Sequence, residues 1–473
     1  TKVGDGTLAL SAANTYSGDT TISAGTLSAS HAHALDNSKV IVQSGGTLNI
    51  DHVALSPTQG LDLSGDGAGG VGALTGTGTA AYSGGVTLVA DSRIGAATAG
   101  DLLTLSGPIT GAAALTKVGD GTLALSAANT YSGDTTISAG TLSASHAHAL
   151  DNSKVIVQSG GTLNIDHVAL SPTQGLDLSG DGAGGVGALT GTGTDAAYSG
   201  GVTLSTDSRI GATAASDRLT LSGKITGAAA LTKVGAGTLA LSGVNTYTGG
   251  TDIQAGTLTA SHAPQALSDK GVAVHRGATL NIDNVALSQQ TLQLSGDGAG
   301  GVGALTGTGT AAYSGGVTLV ADSRIGAATV GDKLTLSGKI TGAAALTKVG
   351  DGTLALSAAN TYSGDTTISA GTLSASHAHA LDNSKVIVQS GGTLNIDHVA
   401  LSPTQGLDLS GDGAGGVGAL TGTGTAAYSG GVTLVADSRI GAATAGDLLT
   451  LSGPITGAAA LTKVGDGTLA LSA

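Results

Sequence analysis

The chain of 473 residues contains no cysteine, methionine, tryptophan or phenylalanine, and all its acidic charge is aspartate. Without cysteine there are no disulfides, so the fold must hold itself together by packing and hydrogen bonding. Ordinary globular cores lean on large aromatic rings for buried area. Here the aromatic complement is eight tyrosines, and Leu, Ile, Val and Ala must fill the interior. That suits a narrow core built from thin layers. Basic residues are scarce, and the net charge of −14 argues against a nucleic-acid partner. No apolar run approaches the roughly 18–20 residues that a membrane-crossing helix needs. Disorder is excluded by a chain that is 40% hydrophobic and only 11% charged.

What is present is repetition. Thr-Lys-Val-Gly begins at Thr1, Thr116, Thr232, Thr347 and Thr462. The copies therefore run 1–115, 116–231, 232–346 and 347–461, with a partial fifth at 462–473. The one extra residue in copy two is read as Asp195. Copies one and four are nearly identical, and copy three is the most diverged. Tandem units that bury their faces on their neighbours form one continuous body, so residues 1–473 read as one domain. The chain opens inside one repeat and stops inside another, as expected of a window from a longer protein.

Within copy one, short runs alternate apolar and polar residues: Leu8/Leu10, Val40/Val42, Leu48/Ile50, Leu61/Leu63, Val86/Leu88 and Leu103/Leu105. Period-two alternation bounded by Gly, Asn, Asp and Ser is the strand signal. Residues 65–72 are too rich in glycine for a helix and read as a loop. Strand–corner–strand units recur about every 20–25 residues, the size of one coil of a parallel β-helix. The expected architecture is all-β, a solenoid of about 20 coils with about five per repeat. Position 108 is Pro108, Lys224, Lys339 or Pro454 in the four copies, which predicts an exposed corner. A string of β-sandwich domains is the competing fold, and the missing tryptophan counts against it.

The pattern Gly-Thr-Leu-x-Leu-Ser-x-x-Asn-Thr-Tyr-[Ser/Thr]-Gly-x-Thr-x-Ile-x-x-Gly-Thr-Leu resembles the autotransporter-associated β-strand repeat of bacterial type V secreted proteins. Copy three carries it at Gly237, Leu239, Leu241, Asn245, Tyr247, Gly249, Ile253, Gly256 and Leu258. The match covers roughly the first 50 residues of each copy. The resemblance implies a right-handed parallel β-helix displayed at the cell surface or released outside the cell. Near-identical tandem copies suit a part whose length matters more than any one face, such as a stalk or fibre carrying adhesion. The alternative is the shaft of an exported polysaccharide-active enzyme or binding protein whose head lies elsewhere. Open coil ends would offer unpaired N–H and C=O groups, so end-to-end association is expected. A host-cell or surface ligand is the other expected partner.

Several clusters invite chemistry, and none completes a site in sequence. His31 and His33 recur as His146/His148 and His377/His379, but zinc normally needs three or four ligands. Asp51-His52 recurs, yet copy three has Asp283-Asn284, which removes a base. Asp62 and Asp66 could pair as glycosidase carboxylates, but they belong to a glycine-rich loop. Residues 65–70 match a dinucleotide fingerprint by letters and lack the helix it requires. Tyr16 and Tyr82 fit packing covers better than adhesive contacts. The expectation is therefore a non-catalytic protein with no catalytic, cofactor or metal residues.

Overall fold

The computed structural model describes residues 1–288 and 291–472. It is a parallel β-solenoid of about 22 turns, close to the twenty expected, with one short 3₁₀ turn per copy as its helical content among the described residues. The chain forms two compact units, Thr1–Gly249 and Gly250–Ala473.

In the first unit each strand lies in register on the strand one turn earlier. Leu8 sits on Leu27, Leu27 on Leu48, Leu48 on Leu74, and Leu74 on Ile94. A neighbouring face stacks Lys2, Ile22, Val42, Leu63 and Leu88 in the same way. Apart from Leu8 in the first turn, these inward Leu, Ile and Val side chains are at most 2% exposed, while Thr and Ser fill most outward positions. β-Branched and small polar residues fit that pleated, half-buried surface. The expected strands are present, for example Gly25–Ala29, Val40–Val42 and Gly46–Asp51. Strands at Leu74–Thr77 and Thr79–Tyr82 lie where glycine and alanine had hidden the alternation. Pro108, Lys224, Lys339 and Pro454 all lie at least partly open to solvent, as the corner reading requires.

The repeat is not a whole number of turns. Following the Leu8 stack onward, Ile94 pairs with Lys117, five turns after Leu8. Lys117 is the copy-two counterpart of Lys2, yet Lys2 belongs to the other face. Lys233, the copy-three counterpart, belongs to a third stack, following Leu103, Leu123, Leu142, Leu163, Leu189 and Ile210. Copies one and two therefore each wind five turns and one further face. The eleven-residue strand Val86–Ala96 makes the change of face. Its first part lies on Leu61–Leu63 and its last part on Leu74–Gly76, with a register shift between Leu88 and Ser92.

The second unit repeats the offset independently. Lys348 stacks between Ile325 and Ile368. Lys463 instead ends the stack Leu334, Leu354, Leu373, Leu394, Leu420, Ile440.

Candidate functional site

The polar groups of each copy divide into those turned inward, which clamp one turn to the next, and those on the surface. Lys117 follows Leu115 by two residues, so the strand alternation points it inward, and it is fully buried. Among the described residues it meets no carboxylate within ion-pair range. Its ammonium donates to the carbonyls of Val118 at 3.0 Å, Gly119 at 2.6 Å and, one turn on, Ala139 at 3.1 Å. Burial pushes its pKa down to about 8, so it stays protonated at neutral pH. Lys348 makes the same three bonds to Val349, Gly350 and Ala370. The alternation carried this inward lysine in plain view, but sequence reasoning passes over it, because lysine is rarely buried without a counter-charge.

Asn129 is a second clamp. Its Oδ1 accepts from Ile109 N–H at 2.8 Å, and its Nδ2 donates to the Ala149 carbonyl at 3.0 Å, so it ties three successive turns. Tyr131 is the third. Its hydroxyl meets Thr135 Oγ1 at 2.7 Å, which meets Ser153 Oγ at 2.6 Å, and Ser153 donates to Gly133 O at 2.9 Å. Seven of the eight tyrosines are buried; Tyr16, in the first turn, is 43% exposed. The seven buried tyrosines, Tyr82 among them, pack inward, whereas Tyr16 does not. The hydroxyls of Tyr82, Tyr198 and Tyr428 find no partner among the described residues.

The clusters that invited chemistry are on the surface and mostly paired off. His33 Nδ1 lies 2.7 Å from Asp36, and His33 N–H donates to His31 Nδ1 at 3.1 Å. Among the described residues no group of three His, Cys, Asp or Glu could hold a metal. His52 Nδ1 lies 2.7 Å from Asp51. The residue adopts a φ of 57°, as do His167, His398 and Asn284 to within a few degrees. That left-handed backbone favours His and Asn among non-glycine residues. The exchange of His for Asn in copy three thus follows a backbone demand, not a base.

Asp62 is held by Lys39 at 2.8 Å, and Asp66 by Arg93 at 3.1 Å. Each carboxylate has its own cation, so the two do not form an acid–base pair. The glycine-rich loop folds into a 3₁₀ turn at Ala68–Gly70, whose N–H at Ala68 donates to the buried Thr47 Oγ1 at 2.8 Å. Asp101 accepts from Thr98 N–H at 2.8 Å and from Gly78 N–H at 2.7 Å, and these bonds hold its carboxyl below the usual carboxylate range.

The inward clamps therefore fall within the segment from the buried lysine to the Gly-Thr-Leu strand, and that segment is what comparison with known proteins picks out. Four segments match the passenger-associated-transport-repeat. They are residues 1–29, 115–144, 231–260 and 346–375. In copy two the passenger repeat contains Lys117, Asn129 and Tyr131, and it closes on the Gly140–Ala144 strand. The whole chain is also 33% identical, over 480 aligned residues, to the adhesin BmaC autotransporter of Brucella suis biovar 1 (strain 1330). It spans 12% of that protein's length. No solved structure matches the chain. No helix among the described residues is long and apolar enough to cross a membrane.

Proposed function

We propose that this segment is a length of structural stalk in an adhesin-like autotransporter passenger, non-catalytic and displayed at the bacterial surface or outside the cell. One observation carries the reading: the polar side chains inside each passenger repeat are spent on joining turn to turn. Lys117, Asn129 and Tyr131 all bond across turns or at corners. A catalytic group needs free valences and a perturbed pKa beside a reacting atom. Here the buried lysine donates to backbone carbonyls, and the two candidate carboxylates, Asp62 and Asp66, each carry their own cation. The relative named as an adhesin supports a surface ligand as the partner of the whole protein.

The test is surface display with varied repeat number. Bacteria carrying the segment between an outer-membrane anchor and a fixed adhesive tip are compared with bacteria whose segment lacks 116–231. The stalk reading predicts that attachment changes with repeat number and that alanine at Asp51, Asp62 or Asp66 leaves it unchanged. Release of soluble product from a polysaccharide by the purified segment would contradict it.

A further inference from the structure

Copy three departs from the other copies at residues that the second unit gathers on one surface. Asp252 stands where the others have Thr21, Thr136 and Thr367, and Gln254 replaces Ser23, Ser138 and Ser369. One turn on, His275 and Arg276 replace Gln and Ser, the pairs at 43–44, 158–159 and 389–390. A further turn on, Gln293 replaces Asp62, Asp177 and Asp408. The strands bearing these residues stack directly, with Asp252 on Ala273 and Ala273 on Gln293. Five substitutions spread over some forty residues of chain thus form one patch.

The patch has internal order. His275 Nε2 lies 2.6 Å from Asp252 Oδ1, and Gln254 Nε2 donates to Asp252 Oδ2 at 2.9 Å. Arg276 is left over: among the described residues it makes no hydrogen bond or ion pair. Its side chain runs over Gly296, where a Cβ would stand 3.0 Å from the arginine Cγ. There it borders a hollow of about 500 Å³ floored by the glycine-rich loop, with Asp297 and Asp322 on its walls. Asp297 Oδ1 is held by Arg324 at 3.2 Å, and Asp322 Oδ1 accepts the Ala345 N–H at 2.9 Å. Among the described residues, the second oxygen of each aspartate accepts no hydrogen bond and is open to another donor.

We propose that this hollow binds a neutral, hydroxyl-rich ligand of the saccharide class. Two carboxylate oxygens can accept from sugar hydroxyls while the free guanidinium donates to a hydroxyl or ring oxygen. Two arginines and two aspartates balance in charge, which disfavours a strongly anionic or cationic guest. The glycine floor lets a ring approach the backbone. The volume lies within the roughly 300–1,000 Å³ of small-molecule sites and suits one or two sugar rings. The assignment stands on the hollow and the substitutions, and does not rest on the stalk reading.

The test is a printed array of neutral and uronic-acid-bearing oligosaccharides probed with the purified chain and with Arg276→Ser. That change installs the residue the other copies carry, so the coil is kept; circular dichroism checks it. The expected result is binding to a subset of neutral glycans, lost at least tenfold in Arg276→Ser and also reduced in Asp322→Asn. No glycan bound, acidic glycans alone bound, or binding unchanged in Arg276→Ser would each overturn the proposal. None of these outcomes bears on how attachment depends on repeat number.

Discussion

Buried tyrosine hydroxyls in this chain face opposite circumstances. Tyr131 OH is satisfied by Thr135, whereas Tyr82 OH has no partner among the described residues. Removing a satisfied hydroxyl strands its partner; removing an orphan relieves a desolvation cost. Tyr131→Phe is therefore expected to lower unfolding free energy by about 1 kcal/mol, and Tyr82→Phe to leave it unchanged or raise it. Denaturant titration of the two variants checks this. The buried lysines give a pH signature. Lys117, Lys233 and Lys348 titrate at about 8 when folded, against roughly 10.4 when unfolded. Between those values the unfolded chain holds more protons, so stability rises with pH from about 8 toward 10. Burial raises the pKa of Tyr82, Tyr198, Tyr313 and Tyr428, which makes the folded chain the one that holds more protons above about 10, and stability then falls. Denaturant midpoints measured at about pH 7, 9 and 11 should peak at the middle value. In Lys117→Met the rise across the lower part of that range should shrink.

Strands were the most legible elements, because period-two alternation needs only one inward face. Leu48 and Ile50, or Leu61 and Leu63, could be placed inside from their spacing alone, and they are buried. Glycine corners were legible as corners but not as close contacts. Gly140 shows what spacing cannot. Its φ is 63°, and a Cβ there would run into the carbonyl oxygens of Gly119 and Gly121 in the turn before. Gly140→Ala is expected to destabilise by roughly 2 kcal/mol or more, combining the left-handed backbone with overpacking. Gly69→Ala, with a similar φ of 64° and open space around it, should cost about 1 kcal/mol. Thermal melts of the two variants separate the contact from the backbone term. The surface clusters were legible as lists of residues, not as pairs. Nothing in the letters joined Asp66 to Arg93 across a turn, or explained Asn284 by its φ.

At the scale of whole copies, the sequence period concealed the offset. A repeat of 115 residues divides by eye into five coils, but coil length varies. Leu27 to Leu48 is one turn, and so is the longer step from Leu48 to Leu74. Only the pairing shows that equivalent residues in successive copies fall on successive faces. At about 4.8 Å per turn, one copy advances roughly 25 Å and turns by one face. Within a unit, identical loops therefore point in different directions, and a partner approaching one side meets unlike parts of neighbouring copies. Adding or removing a copy keeps every junction, since Leu-Thr-Lys-Val recurs at each, while rotating the next copy by one face.

The stacking and the offset are tested together by disulfide trapping in a chain that has no cysteine of its own. Thr116 is paired in register with Arg93. If copies held a whole number of turns, Lys117 would continue the Lys2 stack over Leu88, and Thr116 would lie over Thr87. Paired strands bring Cα atoms within the roughly 4.4–6.8 Å that a disulfide spans. Mild oxidation of Arg93→Cys/Thr116→Cys is expected to give a near-complete bridge, and Thr87→Cys/Thr116→Cys none. Bridging of the second pair in preference to the first, or of neither, would contradict the solenoid as described.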